Sequence, residues 1–194
     1  MKTLPQLIAG QIFLHACMAG MRMATPLLAL KQGFSPLAVG ALLALFALTQ
    51  VFLALPAGRY IDRAGLKKPL LISVAISSVG ASLSAIWPIF PVLCLSALAT
   101  GGATGMAVIA LQRHVGRMAQ NPAELRVAFS WLSIGPAISN FLGPVMAGLL
   151  IDYAGPQPAH IAGFQWAFLL LALLPLSTWF WVRSVPELLG PSTP

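Results

Sequence analysis

Five polar side chains stand inside stretches that are otherwise apolar. Gln11, His15 and Arg22 share one run, Gln50 lies in a second, and Asn140 lies in a later one. An arginine in such a run is costly if the run crosses a membrane, about 2.5–3.5 kcal/mol on insertion scales, so it turns to a cavity or a partner. Spacings of four and seven place Gln11, His15 and Arg22 near one face of a helix. Arg22 is suited to bind an anionic or polar group of a solute; the competing reading is that it snorkels outward or meets a backbone carbonyl. His15 can carry a proton, because imidazole titrates near neutrality, or it can be a hydrogen-bonded structural residue. Gln50 and Asn140 offer neutral hydrogen bonds, to a solute or between helices.

The elements that must position these groups follow from composition. Of 194 residues, 58% are hydrophobic and 8% charged, against roughly 25% charged in a soluble domain. So few charges cannot solvate a globular surface. The apolar runs are continuous and do not alternate, which points to membrane-spanning helices and excludes a barrel. The net charge is +7, but the basic residues sit in short clusters between apolar runs. That pattern sets orientation in a bilayer, and no nucleic-acid partner is expected. Cys17 and Cys94 lie within apolar runs and read as packing residues; no metal site or cofactor is expected. The first run is too long for the apolar core of a signal peptide.

Hydropathy and punctuation predict six spans, over 4–30, 36–57, 69–87, 91–113, 127–151 and 164–182. Ser35-Pro36 reads as an N-cap followed by proline at the first helical position. About 22 residues in the second span cover roughly 30 Å of hydrocarbon. Residues 1–184 form one bundle, and the tail over 185–194, with Pro186, Pro191 and Pro194, is expected not to pack. Thr100, Gly101, Gly102 and Gly105 make a small-residue patch suited to close helix approach. Arg113, His114 and Arg117 are expected to meet anionic headgroups at a helix end, and the aromatics of the sixth span to form an interface belt and packing. Lys2, Arg59, Arg63, Lys67, Lys68, Arg113, Arg117, Arg126 and Arg183 fall on one side and Lys31 on the other. That bias puts both termini in the cytoplasm of a multi-pass protein, with a bacterial inner membrane as the expected location.

The segment Gly58 to Lys68, GRYIDRAGLKK, concentrates charge between the second and third spans, as a cytoplasmic hairpin would. With Gly58, Asp62, Arg63, Gly65 and Lys67 in register, it resembles the G-x-L-a-D-R-x-G-R-R/K signature of the major facilitator superfamily. Tyr60 and Leu66 depart from that signature. The fifth span, with Gly135, Gly143, Pro144 and Gly148, is similar to a Gly-Pro motif of antiporters within the superfamily. The fourth-span arginine of such families has no counterpart, since Ala97 stands at its place. The resemblance implies an all-α integral membrane fold whose six helices form one half, the N-terminal one, of a transporter bundle. It implies a gating role for Asp62 and Arg63, and a solute site between two such halves.

The function expected on this basis is secondary transport of a small solute, anionic or amphipathic, by alternating access, with proton-coupled export as one form of it. The chain, or the half of a transporter that it resembles, would pair with itself or with a second six-helix half. The alternative is a non-transporting membrane scaffold, an assembly factor or a truncated remnant. No enzyme is expected. Catalytic motifs of the nucleophile-elbow, zinc-helix, C-x-x-C or P-loop kinds do not occur, and Asp62, Glu124, Asp152 and Glu187 are all expected in loops or the tail, so no carboxylate pair for acid–base work is visible.

Overall fold

A computed structural model describes residues 3–153 and 160–188. Among these the chain is helical, with α1 Leu4–Lys31, α2 Pro36–Ala64, α3 Lys67–Ile86, α4 Phe90–Met118, α5 Pro122–Leu132, α6 Ile134–Tyr153 and α7 His160–Val182. Among the described residues, the segments long and apolar enough to cross a membrane number six, with α5 and α6 together making one of them. The ends are set by local chemistry. Ser35 Oγ accepts the Ala38 N–H at 3.3 Å ahead of Pro36. Asn121 Oδ1 accepts the Glu124 N–H at 2.9 Å, while the Glu124 carboxylate accepts the Gln120 N–H, a cap that satisfies otherwise orphaned donors.

Several boundaries differ from the sequence expectation: α4 runs to Met118 and α5 begins at Pro122, against 113 and 127, and three further differences bear on the site. The charged segment is not a loop. Helix α2 continues through Gly58, Arg59, Asp62 and Arg63, and only Gly65 and Leu66 separate it from α3. Hydrophobicity ends where the helix leaves hydrocarbon, but helical hydrogen bonding does not. Gly65 stops it, at φ 75° and ψ −149°, a conformation open essentially to glycine alone. The fifth span is broken at Ser133. Pro136 has no N–H to give the Leu132 carbonyl, so the helix cannot run through this point unbroken. The beginning of the expected free tail packs: Val185 is fully buried. Calls on 154–159 and 189–194 lie outside the described residues.

Helix α1 is the centre of the bundle. It packs along α6 and α7 and against α4, while α2 and α3 each pack on α4 and α3 also on α7. Apolar burial at these seams comes from residues such as Leu14, Met21, Leu28, Phe164 and Phe168. Polar links cross them. Ser139 Oγ shares its one proton between the Ile12 carbonyl at 3.0 Å and the Gly135 carbonyl of its own helix at 2.7 Å, and Thr178 Oγ1 donates to the Gly10 carbonyl at 2.9 Å. Ser84, Ser96 and the Gly80 carbonyl form a chain between α3 and α4. Glycines permit the closest crossings. A Cβ on Gly143 would run into the Ala16 carbonyl oxygen, and one on Gly101 into that of Phe46. The aromatics of α7 divide, with Phe164 and Phe168 buried and Trp166 and Phe180 exposed. By contrast α2 and the α5–α6 span bury the least of their surface.

Candidate functional site

A cavity of about 620 Å³ opens beside α1, and its lining includes Gln11, His15, Arg22, Gln50 and Asn140. The structure thus brings all five sequence candidates together. Their periodicity on α1 explains three of them. Gln50 reaches the cavity from α2 because Gly105 on α4 leaves room: a Cβ there would stand 3.0 Å from Gln50 Cγ. Gly135 does the same for Gln11, whose Oε1 would lie 3.0 Å from an added Cβ. Asn140 faces Arg22 across the α1–α6 seam, and Arg22 Nη2 donates to Asn140 Oδ1 at 3.5 Å. Four residues beyond it, Pro144 lacks the N–H that would bond the Asn140 carbonyl.

The electrostatics of this cavity are one-sided. Arg22 is the one permanently charged side chain among the described lining residues, and none of these residues is a carboxylate. Gln11 Oε1, His15 Nδ1 and Thr104 Oγ1 are buried and have no hydrogen-bond partner among the described residues. Leaving a buried polar atom unmet costs about 1–3 kcal/mol, so these atoms are suited to meet water or a solute. Phe129, Leu132, Val108 and Ile109 supply an apolar wall. Sequence reasoning did not find Thr104, Gly105 or Phe129. Gly105 belongs to a patch read as packing, Thr104 stands beside it unremarked, and Phe129 lies on α5, ahead of the Ser133 break.

A second cluster gathers at the charged end. Asp62 forms an ion pair with Arg113 and lies 3.5 Å from Arg117 Nη2. These two arginines therefore reach back to α2, correcting the expectation that they meet headgroups. They do so because α4 continues to Met118, so Arg113 and Arg117, four residues apart, share one face. Gly58 lies alongside, with an added Cβ 3.4 Å from Arg113 Nη2. Its smallness serves the approach of that guanidinium and not a turn, which falls to Gly65. Lys67 Nζ donates to the Arg183 carbonyl at 2.9 Å, and Arg63 is exposed. The Glu187 carboxylate accepts the N–H groups of Leu66 at 2.5 Å and Lys67 at 3.2 Å, at the positive end of the α3 dipole. Arg117 Nη1 donates to the Leu188 carbonyl at 3.0 Å. Segment 183–188 is thereby tied to α3 and α4, which no sequence pattern announced. Replacing Glu187 with alanine is expected to lower stability by about 0.5–2 kcal/mol, the usual range for a lost cap. A thermal melt in detergent checks this, and an unchanged midpoint would show the contact to be idle.

Of the fifth-span glycines, Gly135 and Gly143 sit at tight contacts, whereas Gly148 meets only Met23 Cε at 3.9 Å. The family model of the Major Facilitator Superfamily matches residues 7–193. Comparison with curated proteins finds no match.

Proposed function

Because the chain belongs to the major facilitator superfamily, a family of membrane transporters, we propose that it moves a small solute by alternating access, with the Arg22 cavity as the solute site. The observation that carries this reading is the convergence of Arg22, His15, Gln11, Gln50 and Asn140 on one cavity. A lone guanidinium with no carboxylate beside it favours a solute bearing an anionic or polar group, and the apolar wall favours an amphipathic one. His15 is the lining residue whose imidazole can take up and release a proton, which makes it the proton carrier in a proton-coupled cycle. The Gly-Pro segment with Gly143 and Pro144 inclines the direction to export by antiport.

In this reading the charged end is cytoplasmic, in a bacterial inner membrane, and Asp62 with Arg113 and Arg117 holds α2 against α4 in one state of the cycle. Arg63 and Lys67 belong to the same gate. The side chains of Asp62, Arg113 and Arg117 are 49%, 37% and 30% exposed, so each pair contributes about 0.2–1 kcal/mol. That suits a latch that must open. Asp62→Asn is expected to shift the balance between inward and outward access severalfold. Labelling of a cysteine introduced at Ser133, on the cavity lining, reports it; an unchanged labelling ratio on both sides argues against the latch.

The cavity is open beside the sparsely buried faces of α2 and α5–α6. A second six-helix unit packed on these faces would close it. The test is reconstitution in proteoliposomes, with an internal pH dye read while single small organic anions are added. Anion-dependent proton movement, lost in His15→Gln, supports the reading. An assembly that binds no such anion and moves none favours a scaffold instead.

A further inference from the structure

A second cavity, of about 440 Å³, lies on the outside of the bundle, and its lining is apolar except for the phenol hydroxyl of Tyr60. Its shape follows from the packing. Helices α2 and α3 both rest on α4 but touch one another little, so α4 is the floor of a groove and the other two are its walls. Gly102 and Met106 belong to the floor, Pro56 and Tyr60 to one wall, Ile72 and Ile76 to the other. The walls meet at the Gly65–Leu66 turn.

Helical spacing extends each wall to a cation. Arg63 follows Tyr60 by three residues and Pro56 by seven, and Lys68 precedes Ile72 by four and Ile76 by eight. Each pair of spacings keeps the residue on the groove-lining face of its helix. Arg63 and Lys68 are both exposed, and neither makes an ion pair or a hydrogen bond among the described residues. The acidic groups nearby are engaged elsewhere, Asp62 by Arg113 and Arg117 and Glu187 by the start of α3. An apolar trough that ends in two unneutralised cations matches a molecule with an acyl chain and an anionic head.

We propose that the α2–α3–α4 groove is a binding site for an anionic phospholipid, one acyl chain lying over Gly102 and the headgroup phosphate held by Arg63 and Lys68. The site is separate from the solute cavity and does not depend on it. Two cations near a headgroup, at about 1 kcal/mol each, correspond to roughly a tenfold or greater preference for an anionic over a zwitterionic lipid. The experiment is native mass spectrometry of delipidated protein titrated with phosphatidylglycerol or phosphatidylcholine. Phosphatidylglycerol is expected to bind more tightly by that factor. The double variant Arg63→Gln/Lys68→Gln is expected to erase the preference and leave phosphatidylcholine binding as it was. Ile76→Trp, which fills the groove from its exposed wall, is expected to weaken both lipids. Equal binding of the two lipids, or a preference that survives the double variant, overturns the proposal. So does full competition by glycerol phosphate without any acyl chain, which would mark a site for small anions.

Discussion

Arg22→Ala is expected to lower the affinity of the cavity for a small organic anion by about 10- to 150-fold. Hydrogen bonds to a charged group contribute about 1.5–3 kcal/mol, and each 1.4 kcal/mol is a factor of ten. No other described lining residue carries a permanent charge; His15 is a cation only while it holds a proton. The protein itself should tolerate the change. Arg22 is exposed to the cavity, and its contact to Asn140 is a long one at 3.5 Å, so the melting midpoint is expected to hold. Arg22→Lys separates charge from geometry: it keeps the cation but loses the planar fork, and an intermediate affinity is expected. Equilibrium binding of a panel of monocarboxylates to wild type and both variants measures the affinities, and a thermal melt measures the stability. If wild type binds an anion and Arg22→Ala binds it equally well, Arg22 has no part in the site.

The intramembrane part of this site was legible because lipid makes polar residues conspicuous. Gln11, His15 and Arg22 stand out of an apolar run, and one period places them on one face. Asn140 and Gln50 were visible for the same reason. What escaped was the chemistry of small residues. Gly105 and Gly135 matter through the space they leave for Gln50 and Gln11, and a sequence shows a glycine without showing what leans on it. The charged end was misjudged for a different reason. Hydropathy locates where hydrocarbon stops, whereas α2 and α4 continue to Ala64 and Met118. A helix that outruns the membrane carries its charges on a defined face, and that is how Arg113 and Arg117 find Asp62. The break at Ser133 had a signal in Gly135-Pro136, since a proline denies a bond to the carbonyl four residues earlier. Glu187 had none, because a capping contact across 120 residues leaves no local trace.

The depth at which the fold depends on close crossings gives the other large expectation, for Gly143→Val. Helices α1 and α6 meet here backbone to backbone. A Cβ on Gly143 would overlap the Ala16 carbonyl oxygen and stand 2.8 Å from the Gly20 amide nitrogen. Neither neighbour is a flexible side-chain end, so relief requires the helices to part. Overpacking costs about 1–3 kcal/mol and sometimes more. Separation would also stretch the bond from Ser139 to the Ile12 carbonyl, now 3.0 Å. The same movement would pull Asn140 on α6 away from Arg22 on α1, so anion affinity should fall together with stability. Gly148→Ala is the matched control in the same helix. Its new methyl would meet only Met23 Cε, at 3.9 Å, and alanine favours the helix over glycine by up to about 1 kcal/mol. A thermal melt is therefore expected to fall by several degrees for Gly143→Val and to stay level or rise for Gly148→Ala. Equal melting of the two variants would mean that the α1–α6 seam is not packed through Gly143, and the cavity geometry that rests on that seam would have to be redrawn.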